Sequence, residues 1–129
     1  MARVLVVEDA LEVLDLVVAR LRRGGHEVRC SPADPPVAAR RSQAFSPEVC
    51  VVDVALPEGA GLRALQALRA ADADVRLIAC TAAGVDVNVI SAIRSGATEV
   101  VSTLHGLEVA LGQSPRPHGR PHPRRLLSS

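Results

Sequence analysis

Short apolar runs alternate along the chain with longer segments in which apolar residues recur every three or four positions. The runs VLVV at 4–7 and VCVV at 49–52 are rich in β-branched valine, which is typical of strands covered on both faces. Each longer segment carries one apolar stripe, as expected for an amphipathic helix. The pattern predicts strands at 4–7, 26–30, 49–52, 75–80 and 99–102. It predicts helices at 11–23, 37–44, 62–71, 87–95 and 107–111.

Residues between these segments supply helix boundaries. Gly24 and Gly25 end the first helix, and Asp34 is placed to cap the second, with two prolines in the first turn. Asp86 is placed to cap the fourth helix, which Gly96 ends. Strands that alternate with helices at this spacing predict βα units around a parallel sheet. The fold class is therefore α/β, and 129 residues suit one such domain.

Composition limits the chemistry available to this domain. Phe45 is the only aromatic residue, so the core must be filled by valine, leucine, isoleucine and alanine. All 15 basic residues are arginine. The absence of lysine excludes Schiff-base chemistry and a Walker-type phosphate loop.

The last 17 residues differ from the rest of the chain. Residues 113–129 carry four arginines and no acidic residue, whereas residues 1–112 carry eleven arginines and fourteen acidic residues. The segment has no apolar periodicity and is rich in proline. We therefore expect residues 1–112 to form the folded domain and residues 113–129 to be a disordered basic tail. Four arginines among prolines are a weak nucleic-acid signal, so no specific nucleic-acid partner is expected.

The cysteines and the N-terminus indicate a cytoplasmic protein. Cys30, Cys50 and Cys80 are odd in number, widely spaced and set within or beside apolar runs. We expect small buried side chains in a reducing compartment rather than a disulfide or a metal site. The chain enters a strand-like run directly, without a secretion signal, and no apolar stretch reaches membrane-spanning length.

Polar residues that can bind a ligand or take part in a reaction follow the predicted strands. In an open parallel sheet, ligands bind beyond the carboxyl ends of the strands, where the strand order reverses. If the strand order is 2-1-3-4-5, the first and third strands are neighbours and three carboxylates converge. Carboxylates this close disfavour one another unless a cation joins them, and their hard oxygens suit Mg²⁺. The strand-end residues are Glu8, Asp9, Asp53, Thr81 and Thr103.

Four motifs in this order carry a family resemblance. They are VLVVED at 4–9, VVD at 51–53 followed by LP at 56–57, glycines at 59 and 61, and CTA at 80–82. From about residue 3 to residue 111, the chain resembles the CheY-like receiver domains of bacterial two-component signalling. The resemblance implies a doubly wound, flavodoxin-like (βα)5 sheet of order 2-1-3-4-5. Because 129 residues leave no room for an output domain, we expect a stand-alone receiver that acts through a downstream protein partner.

The resemblance implies a role for each matching residue. Asp53 would accept a phosphoryl group from a histidine kinase or a phosphotransfer protein. Mg²⁺ would be held by Glu8, Asp9, Asp53 and the backbone carbonyl of Ala55. The phosphoryl oxygens would be bound by the Thr81 hydroxyl and the backbone N–H of Ala82. Such a domain is a signalling module rather than an enzyme, with self-catalysed phosphoryl transfer and dephosphorylation at most.

Simpler interpretations exist for some of these residues. Asp9 could merely cap the helix that begins at Leu11, and the sequence favours neither this role nor a role in the site. Thr81 could be an ordinary strand-end threonine. Asp53 is different, because apolar residues follow it and no helix begins there, which favours a role in a site.

Two positions depart from the family pattern and make the receiver atypical. The family has a lysine after the fifth strand, where this chain has Thr103. The family often has an aromatic residue on that strand, where this chain has Val100. Two hypotheses follow: a working phosphoacceptor, or a pseudo-receiver that binds a protein without switching by phosphorylation. A phosphatase with an aspartate nucleophile would need a second acid two residues on, where Ala55 stands.

Overall fold

A computed structural model describes residues 1–81 and 89–112. The expectations for Ala82, for the helix cap at Asp86 and for the tail at 113–129 lie outside these residues. Within the described part of the chain, no helix has both the length and the apolar character needed to span a bilayer.

Five parallel strands form one sheet in the order β2-β1-β3-β4-β5, as the resemblance implies. In the register of β1 with its neighbours, Val7 lies opposite both Ser31 and Val52. The strands are β1 (Arg3–Val7), β2 (Glu27–Ser31), β3 (Val49–Asp53), β4 (Arg76–Cys80) and β5 (Glu99–Val101).

Helices follow each strand, which confirms the predicted βα alternation. Asp34 caps the second helix through a 3.3 Å bond from the Val37 N–H, and two prolines stand in its first turn, as expected. A short 3₁₀ turn, Pro57–Gly59, precedes the third helix. The helices are α1 (Leu11–Arg23), α2 (Pro35–Phe45), α3 (Ala60–Ala71), α4 (Val89–Arg94) and α5 (Leu104–Gly112).

The core consists of two apolar layers, one on each face of the sheet. Alternate residues of each central strand enter opposite layers, so Leu5 packs with α2 and α3, while Val6 packs with α1 and α5. Complete burial of each leucine or valine contributes about 1.5–3 kcal/mol to folding. Aliphatic residues fill both layers, and Phe45 is only partly buried against the first.

The α4 helix corrects one sequence expectation. Its apolar stripe should face the core, but Ile90 and Ile93 are 63% and 45% exposed, and Ala92 is the buried residue. The helix packs against α3 and β5. Periodicity identified the stripe but could not tell which side of so short a helix meets the body.

Arg69 connects two turns at the amino ends of β4 and β5. Its guanidinium donates to the carbonyl oxygens of Asp72, Ala73 and Val75 before β4, at 2.8–3.2 Å. It also donates to the carbonyl of Gly96 before β5, at 2.9 and 3.2 Å. One side chain thus links the turns before β4 and β5, at the edge of the sheet opposite the strand-end residues.

Candidate functional site

The strand register places Glu8 and Asp53 side by side. Val7 and Val52 are opposite each other on β1 and β3, so the next residue of each chain segment reaches the same level. Asp53 in turn lies opposite Cys80 on β4, and Thr81 follows directly. The sequence expectation that strand ends gather at one edge therefore holds for Glu8, Asp53 and Thr81.

A cavity of about 90 Å³ lies at this edge on the α1 side of the sheet. A water molecule needs about 10–15 Å³ measured in this way, so the cavity has room for several waters or for a small ion with its water shell. Its walls are valines of β1, α1 and β3. Four strand-end residues complete the lining: Glu8, Asp53, Cys80 and Thr81.

Glu8 is 5% exposed and is the most buried acid of the site. Its Oε2 accepts the backbone N–H groups of Asp9 and Ala10 at 2.9 and 3.1 Å. Burial raises the pKa of Glu8 to about 7, and a hydrogen bond to Asp53 adds to the shift, while the two N–H donors oppose it. Near neutral pH, Glu8 is therefore protonated in a substantial fraction of the molecules when no cation is present.

Asp53 is fixed by its backbone as well as by its side chain. Its Oδ1 accepts the Ala55 N–H at 2.8 Å, which turns the chain just after β3. Gly61 of α3 packs on the Asp53 backbone so closely that a Cβ atom at this glycine would lie 2.2 Å from the Asp53 carbonyl oxygen. The helix can approach the site only because this residue has no side chain.

Asp9 is oriented differently from Glu8 and Asp53. Its Oδ1 accepts the N–H of Ala33 at 2.8 Å and so stabilises the loop between β2 and α2. It does not cap α1, whose N-cap is Ala10 without a side-chain bond, so the simple capping interpretation is wrong. Within residues 1–81 and 89–112, no group of three or more His, Cys, Asp or Glu could hold a metal ion. Asp9 as a metal ligand stays a prediction.

Thr103 has a structural role that the sequence interpretation missed. Its Oγ1 accepts the Gly106 N–H at 2.8 Å, in the first turn of α5. A threonine directly before a helix is a common N-cap, so the signal was present in the sequence. The cavity lining that the structure describes contains no basic side chain. Val100 is half-buried and packs against the layer of α2 and α3.

The three cysteines are free in the structure, and only one of them is fully buried, whereas the sequence predicted burial for all three. Cys50 is buried and Cys80 is half-buried beside Asp53. Burial, together with the charges of Asp53 and Glu8, raises the pKa of the Cys80 thiol to about 11. Cys80 is therefore a neutral thiol in the cavity wall rather than a nucleophile.

Comparison with known proteins agrees with this geometry. Residues 4–103 match the family described as the response regulator receiver domain. The chain is 31% identical over 99 residues to the chemotaxis protein CheY of Bacillus subtilis, covering 77% of this chain and 82% of that protein. It is 27% identical to the chemotaxis protein CheY of Thermotoga maritima, again covering 77% of this chain and 82% of that protein. The crystal structure of Vibrio cholerae CheY4 shares the fold, with a TM-score of 0.74 at 23% identity, covering 87% of this chain and 97% of that one. The chain therefore belongs to the response regulator receiver domain family, as a CheY-like domain of two-component systems.

Proposed function

We propose that this chain is a phosphoacceptor whose Asp53 takes a phosphoryl group in a two-component relay. The observation that carries the proposal is the position of Asp53 at the carboxyl end of β3, in the wall of a cavity that Glu8 and Thr81 also line. Transfer to a carboxylate requires an accessible oxygen, charge neutralisation and donors for the phosphoryl oxygens. Asp53 is half-buried, so its carboxylate is positioned by the protein and still reachable from solvent.

The residues of the site fit a bound Mg²⁺ in part. Two adjacent carboxyl groups, one of which has its pKa raised by burial and by its neighbour, are the expected partners of a hard divalent ion. Glu8, Asp53 and the carbonyl of Ala55 would hold it, and Asp9 would join them if its carboxylate left the Ala33 N–H. Bound Mg²⁺ would neutralise charge on the phosphoryl oxygens.

Two further residues of the proposed site bind the phosphoryl oxygens through hydrogen bonds. The Thr81 hydroxyl and the Ala82 N–H are the proposed donors. The family's lysine is absent, and Thr103 uses its hydroxyl oxygen to cap α5. A phosphoryl group adds about −1.5 to −2 charge near neutral pH. The lysine that balances part of this charge in the family is missing from the site. We therefore expect slow or incomplete phosphorylation.

The proposed partners are a phosphoryl donor and a protein that reads the domain. The donor is a histidine kinase or a phosphotransfer protein of the cytoplasm, where free cysteines are stable. The relatives named CheY are chemotaxis proteins. The proposed receiver comprises residues 1–112. Exposed apolar residues on α4, namely Val89, Ile90 and Ile93, offer a surface to the downstream partner.

A second function, a pseudo-receiver that binds its partner without phosphorylation, is favoured by the observation at Thr103. Thr103 is uncharged and its hydroxyl oxygen caps α5, so nothing at this position replaces the charge of the lysine. Val100 also lacks an aromatic ring that could change position on phosphorylation. In this alternative, the acidic pair and the cavity would remain as a relic of the receiver site.

Intact mass after incubation with acetyl phosphate and Mg²⁺ separates these functions. We expect the natural protein to gain one phosphoryl group at partial occupancy, Asp53→Asn to gain none, and Thr103→Lys to reach higher occupancy. No gain in the natural protein or in Thr103→Lys would favour the pseudo-receiver. Equal occupancy and rate in both would show that the missing lysine is compensated elsewhere.

A further inference from the structure

The two edge strands of the sheet are protected to different degrees. β5 contains only three residues, so it offers few backbone groups to another strand. β2 contains five residues and presents a longer row. An exposed edge of this kind is a template for pairing with a further strand.

The hydrogen bonds to β1 show which backbone groups of β2 face outward. The Glu27 N–H donates to the Ala2 carbonyl, and the Ser31 carbonyl accepts from the Glu8 N–H. In a parallel ladder, successive residues alternate between the two sides of a strand. Residues 27, 29 and 31 therefore face β1, and the N–H and C=O groups of residues 28 and 30 face away from the sheet.

Both outward carbonyl groups accept a hydrogen bond from an arginine. Arg22 at the end of α1 donates from Nη2 to the Val28 carbonyl at 3.2 Å. Arg41 of α2 donates from Nη1 to the Cys30 carbonyl at 2.8 Å. Because α1 and α2 pack on opposite faces of the sheet, the edge is covered from both sides.

Positive charge adds to this protection. Arg29 lies on β2 itself, with its guanidinium carbon 5.1 Å from the centre of the Phe45 ring. Two β2 edges placed together would bring Arg22, Arg29 and Arg41 of both copies into one small region. Like charges brought so close together repel, although dissolved salt screens the repulsion.

We propose that the outer edge of β2 is a strand-pairing surface that Arg22 and Arg41 hold closed, and that the partner it fits is a second copy of this chain. Two such edges are self-complementary in antiparallel pairing, because the outward groups of Val28 and Cys30 in one copy can meet those of the other. Pairing would join two five-stranded sheets into one of ten strands. The arginine bonds occupy the carbonyl acceptors that this pairing needs.

The test compares two double variants by sedimentation over a range of protein concentrations. Arg22→Ala with Arg41→Ala removes the two bonds, whereas Arg23→Ala with Arg40→Ala removes the same charge from neighbouring exposed positions on the same helices. We expect the first variant to dimerise with an association constant at least tenfold above that of the natural protein. The second variant should behave like the natural protein. The single variant Arg41→Ala, which frees one carbonyl, should fall between them.

Hydrogen exchange identifies the surface that is used. In the dimer, the amides of Val28 and Cys30 should exchange at least tenfold more slowly than in the monomer, which association through unfolded chains would not produce. A first variant that stays as monomeric as the control, or a dimer whose β2 amides exchange unchanged, overturns the proposal. A natural protein that pairs through β2 in high salt overturns the role given to the two arginine bonds, since charge alone would then keep the edges apart.

Discussion

The approach of α3 to the Asp53 backbone gives a prediction in which two physical effects oppose each other. Gly61 is buried within α3, where alanine is intrinsically favoured over glycine by about 1 kcal/mol. Here the added Cβ would lie 2.2 Å from the Asp53 carbonyl oxygen and 2.6 Å from the Val54 Cα. Both atoms belong to the backbone, so the helix or the end of β3 must move by more than 1 Å to restore about 3.5 Å contact.

We expect the steric effect to prevail in Gly61→Ala. Overpacking typically costs about 1–3 kcal/mol, and contact with backbone places this case at the upper end. After subtraction of the helix preference, the free energy of unfolding should fall by about 2 kcal/mol, with Tm lower by roughly 10 °C. The chain has no tryptophan or tyrosine, so urea and thermal unfolding are followed by far-ultraviolet circular dichroism.

Gly112→Ala is the matched control, because a Cβ atom at this last residue of α5 would meet nothing within 4 Å. It should change stability by less than about 1 kcal/mol. Phosphorylation of Asp53 should also decrease in Gly61→Ala and not in the control. If Gly61→Ala is as stable as the control, the close packing of α3 on the end of β3 is refuted.

Three further predictions concern the acidic pair and the tail. Because the pKa of Glu8 is raised from 4.5 to about 7, its contribution to stability is full below pH 4.5 and is lost as the pH rises through 7. We expect metal-free protein to lose roughly 3 kcal/mol of unfolding free energy over this range, and Glu8→Gln to remove most of that loss in urea titrations at several pH values. If the difference in unfolding free energy between the natural protein and Glu8→Gln is the same at pH 8 as at pH 5, the prediction is contradicted. Asp53→Asn should weaken Mg²⁺ binding in calorimetry and raise metal-free stability at pH 8 by removing one of two adjacent charges; unchanged Mg²⁺ affinity would count against the site. Truncation after Gly112 should leave Tm unchanged, and a drop of several degrees would show that the tail contributes to folding.

Much of the fold follows from local patterns. The runs at 4–7 and 49–52 identified the two central strands within one residue of β1 and β3, because strands buried on both faces need continuous apolar sequence. Asp34 with its following prolines marked the start of α2 for an equally local reason. The strand order came from the family resemblance, since periodicity does not say which strands are neighbours.

The site was harder to predict because it depends on directions of side chains. Glu8 and Asp9 are adjacent in sequence, but one carboxyl group reaches Asp53 while the other binds the N–H of Ala33. That N–H belongs to a loop 24 residues away, so no local pattern could show it. The sequence correctly brought Glu8, Asp53 and Thr81 to one edge of the sheet.

Arg69 bears on how the sheet is held together. One planar guanidinium binds the carbonyls of Asp72, Ala73 and Val75 and also that of Gly96, so it ties the turn that enters β4 to the turn that enters β5. A lysine has only three N–H donors on one atom and could not span both turns. The amino ends of β4 and β5 are thus tied together at the edge of the sheet that lies opposite Asp53.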